Sequence, residues 1–140
     1  MAPAESWQPA TDDPRVRILV VEDDFAVRWP LAEFLRDAGY RVIEAESVNE
    51  AVAVLSCDAA IDVVFSDVNL SGQLNGHALA TWLDQHQPTI PVLLTSADPV
   101  AKMQIRSGPT RSFIPKPYDP SSVDERIQLL LAHMKSAAQS

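Results

Sequence analysis

Ile61-Asp62-Val63-Val64-Phe65-Ser66-Asp67 is a short, mostly apolar run that ends on a carboxylate. It is too short for a helix and is rich in β-branched residues, so it reads as a buried strand. Three more runs share the form. Ile18-Leu19-Val20-Val21 ends on Glu22 and Asp23, Val92-Leu93-Leu94-Thr95 on Ser96, and Phe113-Ile114-Pro115 on Lys116. Set parallel, these strands gather three carboxylates, a hydroxyl and an ammonium along one edge of one sheet. That set suits a divalent cation, which takes oxygen ligands, and a phosphoryl group, whose charge an ammonium can meet.

Helical patterns fill the intervals. Val27, Leu31, Phe34, Leu35 and Ala38 recur at helical spacing, and Gly39 ends the pattern. Pro30 falls inside this helix; a start near Phe25, with Asp24 as cap, confines its cost to the first turns. Residues 40–45 read as the second strand. Ser47 is an N-cap with Glu50 in capping-box position, and Val48, Val52 and Leu55 share the face that follows. A polar loop over 67–75 leads to a helix opened by Gly76, with Leu79, Trp82, Leu83 and His86 on one side. Asp98-Pro99 caps a short helix that ends near Ser107-Gly108-Pro109. Pro115 suits only an edge strand. Asp119 or Ser121 caps the last helix, striped by Val123, Ile127, Leu130, Leu131 and Met134. Five strands alternating with five helices predict an α/β fold: a parallel, doubly wound sheet with helices on both faces.

Composition narrows the function classes. The 140 residues fit one domain, and 46% hydrophobic content supports one core. A formal net charge of -8 argues against a nucleic-acid partner and against an anionic membrane surface. Cys57 is the only cysteine, so no internal disulfide can form, and a cytoplasmic setting is expected. No apolar run approaches the ~20 residues a membrane helix needs, and no signal-peptide profile opens the chain. Asp12 and Asp13, beside Pro14, read as solvated charge in a tail, with Trp7 its one sticky residue. His77, His86 and His133 lack metal-ligand spacing, Trp29 and Trp82 read as helix packing, and Cys57 as a small buried or loop residue.

Over residues 17–134 the chain resembles the receiver domain of two-component response regulators. The resemblance rests on Ile18-Leu19-Val20-Val21-Glu22-Asp23-Asp24, Phe65-Ser66-Asp67-Val68-Asn69, Pro91-Val92-Leu93-Leu94-Thr95-Ser96-Ala97 and Phe113-Ile114-Pro115-Lys116-Pro117, four motifs in order, each at a strand end. It implies a flavodoxin-like (βα)5 sheet of order 2-1-3-4-5, whose strand order reverses where Glu22 and Asp23 meet Asp67. It divides the chain into a tail over 1–15, a receiver domain over 16–135 and a frayed end over 136–140. With no output domain in the sequence, a single-domain, chemotaxis-protein-like receiver is expected.

Carried over residue by residue, the resemblance makes Asp67 the phosphoryl acceptor and Mg2+ the cofactor. Asp23 binds the ion directly, Glu22 through water, and Asp67 and the Asn69 backbone carbonyl complete the protein ligands. Ser96 and Lys116 contact phosphoryl oxygens, and Phe113 changes rotamer on activation. The implied partners are a histidine kinase or histidine phosphotransferase and a downstream protein target, with the chain a monomer or weak dimer. The resemblance further implies a protein that assists its own phosphorylation and dephosphorylation without being an enzyme in the ordinary sense. Two departures stand out: the loop after Asp67 is slightly long and lacks a proline, and the stretch 96–116 is slightly short, which stunts the fourth helix and reshapes the output face.

Each residue has a plainer role when taken alone. Asp67 could end a turn, Glu22, Asp23 and Ser96 could cap helices, and Lys116 could be a surface lysine. Two alternatives belong to other classes. One is a receiver-shaped interaction module that works unphosphorylated. The other is a haloacid-dehalogenase-like phosphatase, which wants a second Asp where Asn69 stands and a cap domain this length has no room for.

Overall fold

The computed structural model describes residues 13–57, 60–70, 72, 74–105 and 108–139. Residues 1–12 of the expected tail lie outside the described residues. In chain order the elements are β1 (Arg17–Val21), α1 (Phe25–Asp37), β2 (Arg41–Ala45), α2 (Val48–Ser56), β3 (Val63–Asp67), α3 (Gly76–His86), β4 (Val92–Ser96), a 3-10 turn (Ala101–Gln104), β5 (Arg111–Pro115) and α4 (Pro120–Gln139). The strands form one parallel sheet in the order β2-β1-β3-β4-β5, the flavodoxin-like order expected.

Side chains alternate across a strand, so each strand feeds two cores. Leu19, Val21, Val64, Val92 and Leu94 face α2 and α3, where Val48, Leu55, Leu79 and Leu83 meet them. Ile18, Val20, Phe65, Leu93 and Ile114 face α1 and α4, where Leu31, Leu35, Val123 and Ile127 close the other layer. β1, β3 and β4 are buried at every position, as central parallel strands must be. Each fully buried large side chain contributes about 1.5–3 kcal/mol. Pro115 is exposed on β5, an edge strand that needs no donor there.

The caps follow local chemistry. Asp24 accepts from the Ala26 N–H at the head of α1, and Gly39 turns the chain out of it at φ 106°. Ser47 accepts from the Glu50 N–H, while Glu50 takes the Glu46 N–H in return. Asp119, not Ser121, heads α4 and accepts from the Ser121 N–H.

Several expectations need correction. The fourth helix is reduced to one 3-10 turn, so among the described residues four α-helices accompany the five strands. Asp98 still caps there, accepting from the Val100 N–H. On α1, Arg28 and Ala32 are buried while Phe34 and Trp29 are exposed; Phe34 and Trp29 fall outside the stripe set by Leu31 and Leu35. On α3, Ala80 is buried beside Leu79 and Leu83, while His86, expected on the same side as those leucines, is exposed and stacks on Trp82. Asp13 is not merely solvated, since it pairs with Arg15 and Arg41. Among the described residues no helix is long and apolar enough to cross a membrane.

Candidate functional site

Strand register decides which side chains meet. Val21 of β1 lies opposite Ser66 of β3, so Glu22, one residue on, comes level with Asp67. Asp67 lies opposite Thr95 of β4, and Ser96 opposite Pro115 of β5. Lys116 follows at once, its N–H donating to the Ser96 carbonyl at 3.0 Å. One strand separates β5 from β3, and the flexible four-carbon stem of lysine spans it. Lys116 Nζ pairs with Asp67 Oδ2 and reaches Glu22 Oε1 at 3.1 Å. The Lys116–Pro117 peptide is cis, an isomer this sequence pair permits.

Glu22 and Asp67 keep only 3% and 4% exposure, so their charges are poorly hydrated. The Glu22 carboxyl is pushed up to about 7, first by burial and then by repulsion from Asp67 and contact with Asp23; the Asp24 N–H pulls the other way. Burial works against the Lys116 charge, but the Asp67 and Glu22 carboxylates outweigh it and hold its value above the ordinary one.

Lys116→Met is expected to leave both carboxylates buried with no ammonium between them. A fully buried pair broken this way costs about 3–5 kcal/mol; Lys116 keeps 23% exposure, so about 1–3 kcal/mol is expected at neutral pH. The sign with pH follows from Glu22. Its folded value lies above the ordinary 4.5, so its carboxylate costs stability as pH rises from 4.5 through about 7. Urea titrations should show the deficit at pH 7.5 and its narrowing toward pH 4.5. Equal stability at both pH values would deny Lys116 this role.

Ser96 is buried at 1% exposure, and its Oγ accepts from Asn69 Nδ2 at 2.9 Å and from the Asp98 N–H at 3.0 Å. Both lone pairs are used, which leaves the hydroxyl proton to donate. The Asn69 N–H donates to Asp67 Oδ1 at 2.8 Å. Asn69 thus braces both the acid and the hydroxyl, a side-chain role its sequence position did not announce. Phe113 is half-buried against the α2–α3 core, and its carbonyl accepts from Arg126 Nη1 at 2.6 Å.

The donor chemistry, carboxylate oxygens of Glu22 and Asp67 buried close together around one ammonium, is of the kind a hard divalent cation takes. Among the described residues, no three His, Cys, Asp or Glu side chains converge into a metal-holding group. Lys116 holds two of the three expected carboxylates, and Asp23, half-buried, stands beside them.

Two other features surround the site. Gly76 packs where a Cβ would lie 2.6 Å from the Asp67 carbonyl oxygen, so the head of α3 closes directly on the acid's backbone. An apolar groove of about 360 Å³ runs from Lys116 along Ala26, Val27, Pro30, Pro117 and Tyr118. Phe25 and Trp29, stacked at 6.3 Å and exposed, lie on the same helix. Tyr118 meets Phe65 edge-on at 5.7 Å, two residues before Asp67 on β3.

Residues 18–128 match the family described as the response regulator receiver domain. The chain is 32% identical over 115 residues to the DNA-binding transcriptional regulator NtrC of Salmonella typhimurium, covering 81% of this chain and 24% of that protein. It is 27% identical to the putative two-component response regulator ARR21 of Arabidopsis thaliana, covering 97% of this chain and 22% of that one. The chain therefore spans about a quarter of the length of these relatives. Among solved structures it resembles the receiver domain of the hybrid histidine kinase CckA, with a TM-score of 0.70, 34% identity, 82% of this chain and 98% of that chain covered.

Proposed function

Because the chain belongs to the response regulator receiver domain family, the phosphoacceptor class of two-component signalling, we propose that Asp67 is the residue that takes the phosphoryl group. One observation carries this: Asp67 ends the central strand β3 with its carboxylate paired to Lys116, an ammonium placed to receive charge there. The donor is a phosphohistidine on a histidine kinase or phosphotransferase. An Asp67 carboxylate oxygen attacks phosphorus in line, the O–P bond forms as the P–N bond breaks, and the leaving imidazole nitrogen keeps the electron pair and takes a proton. Lys116 releases the carboxylate oxygen and meets the phosphoryl oxygens instead, while Ser96 donates its hydroxyl proton to another. Glu22, Asp23, Asp67 and the Asn69 carbonyl would hold Mg2+, which when bound neutralises charge on the transferred group.

Docking of the donor fits the groove beside Lys116, with Phe25 and Trp29 as anchors on α1. Phosphorylation then shifts an existing equilibrium in which Ser96 moves toward the phosphate and Phe113 repacks. Phe113 has no hydroxyl, so this switch works by packing alone. The phosphatase alternative is not favoured, because Asn69 spends its side chain on Ser96 and its N–H on Asp67, and carries no acid for a leaving group.

The test is intact-mass measurement after incubation with Mg2+ and acetyl phosphate. One phosphoryl group per chain is expected, and chelation by EDTA should reduce labelling to background. Labelling that persists undiminished in EDTA would remove Mg2+ from the reaction.

A further inference from the structure

We propose that Arg28 is the positioning residue that sets the Glu22–Asp23 turn for a divalent cation, by gripping the Glu22 main-chain carbonyl from beneath; this rests on the functional reading above. Arg28 is charged yet only 7% exposed, at the end of the first turn of α1. Its Nη1 donates to the Glu22 carbonyl at 2.7 Å, a buried bond. Its Nε donates to Glu44 Oε1 on β2 at 2.9 Å, and Glu44 is held in turn by Arg36 at 3.1 Å. A buried guanidinium is costly unless its donors are met, so these partners fix its place.

The grip closes a ring. The Glu22 N–H donates to the Ala45 carbonyl at 3.0 Å, so both backbone groups of Glu22 are engaged. The Arg28 N–H donates to the Asp24 carbonyl at 2.8 Å, and Asp24 caps α1. The chain from Glu22 to Arg28 is thus tied at both ends. The peptide joining Glu22 to Asp23 is planar, so fixing its carbonyl also fixes the Asp23 N–H and Cα. Asp23 is the proposed direct ligand, so its carboxylate starts from a backbone that Arg28 has set. Glu44 neutralises Arg28 from the β2 side, where it does not touch the acidic cluster. The contribution to the site is therefore orientation, separable from the ion pair.

The experiment measures Mg2+ affinity of the unphosphorylated protein by calorimetry, with amide NMR shifts of residues 22–24 as a second readout. Arg28→Met keeps the apolar stem and deletes the donors; it should weaken Mg2+ binding about tenfold or more, as loss of ligand support does. The limiting rate of labelling at saturating Mg2+ should fall much less than the affinity. Arg28→Lys, which offers a point donor without the fork, should lie between wild type and Arg28→Met. Glu44→Gln removes the closer of the two ion pairs of Arg28, the other being Glu46 at 3.9 Å, but leaves the grip on Glu22, and should keep wild-type affinity even if its melting temperature drops. Affinity in Arg28→Met equal to wild type overturns the proposal, and so does equal weakening by Glu44→Gln. If Arg28→Met does not fold, Arg28→Lys decides by the same comparison with Glu44→Gln. A wild type that binds no Mg2+ overturns the functional reading itself and is thereby distinguished.

Discussion

Asp67→Asn is expected to take no phosphoryl group from acetyl phosphate where wild type takes one, a complete loss read by intact mass. An amide oxygen is a far weaker nucleophile than a carboxylate, and transfer requires that oxygen to form the new bond to phosphorus. The substitution is close to isosteric, so the fold should survive it. Lys116 keeps Glu22 at 3.1 Å, and the Asn69 N–H still finds an amide oxygen where it now donates to Asp67 at 2.8 Å. Repulsion on Glu22 is also relieved, since Asp67 is one of the groups pushing its carboxyl up to about 7. Loss of label in a folded variant therefore reports chemistry. Equal labelling of both proteins would move the acceptor to another residue.

Gly76→Ala is expected to damage the same site from the backbone side. The new Cβ would stand 2.6 Å from the Asp67 carbonyl oxygen and 2.8 Å from Val68 Cα. Both neighbours are backbone, so neither can rotate away. Either α3 retreats or the end of β3 moves, and the bond from the Gly76 N–H to the Val68 carbonyl, now 2.9 Å, stretches with it. Overpacking of this kind costs about 1–3 kcal/mol. Urea denaturation should show that loss, and labelling should slow as the Asp67 backbone is displaced. Gly108→Ala is the control, because a Cβ there meets nothing within 4 Å. If the two variants behave alike, the close approach of α3 does not constrain the acid.

How much of this was legible depends on the range of the interaction. Apolar runs ending in polar residues are local, and they marked β1, β3, β4 and β5 with Glu22, Asp67, Ser96 and Lys116 at their ends. Caps are local too, and Asp24 and Ser47 do what their neighbours predict. Trp29 was misread because aromatic character alone does not say which face of a helix carries it; the stripe of Leu31 and Leu35 does. The reduction of the fourth helix to Ala101–Gln104 shows in the sequence only as a stretch slightly short for a full helix.

The alternation of strand and helix, hence a parallel doubly wound sheet, and the residue types along its active edge are readable from the order of amino acids. Periodicity and strand length carry that information, because burial on two faces demands it. Which of those groups touch follows from the folded arrangement alone. Lys116 reaches across β4 to Asp67 and Glu22, Asn69 bonds Ser96, Arg28 grips Glu22, and Gly76 closes on Asp67. Each contact joins side chains or backbone through register and helix placement. Those are set by the packing of the whole sheet, and no window of neighbouring residues contains them.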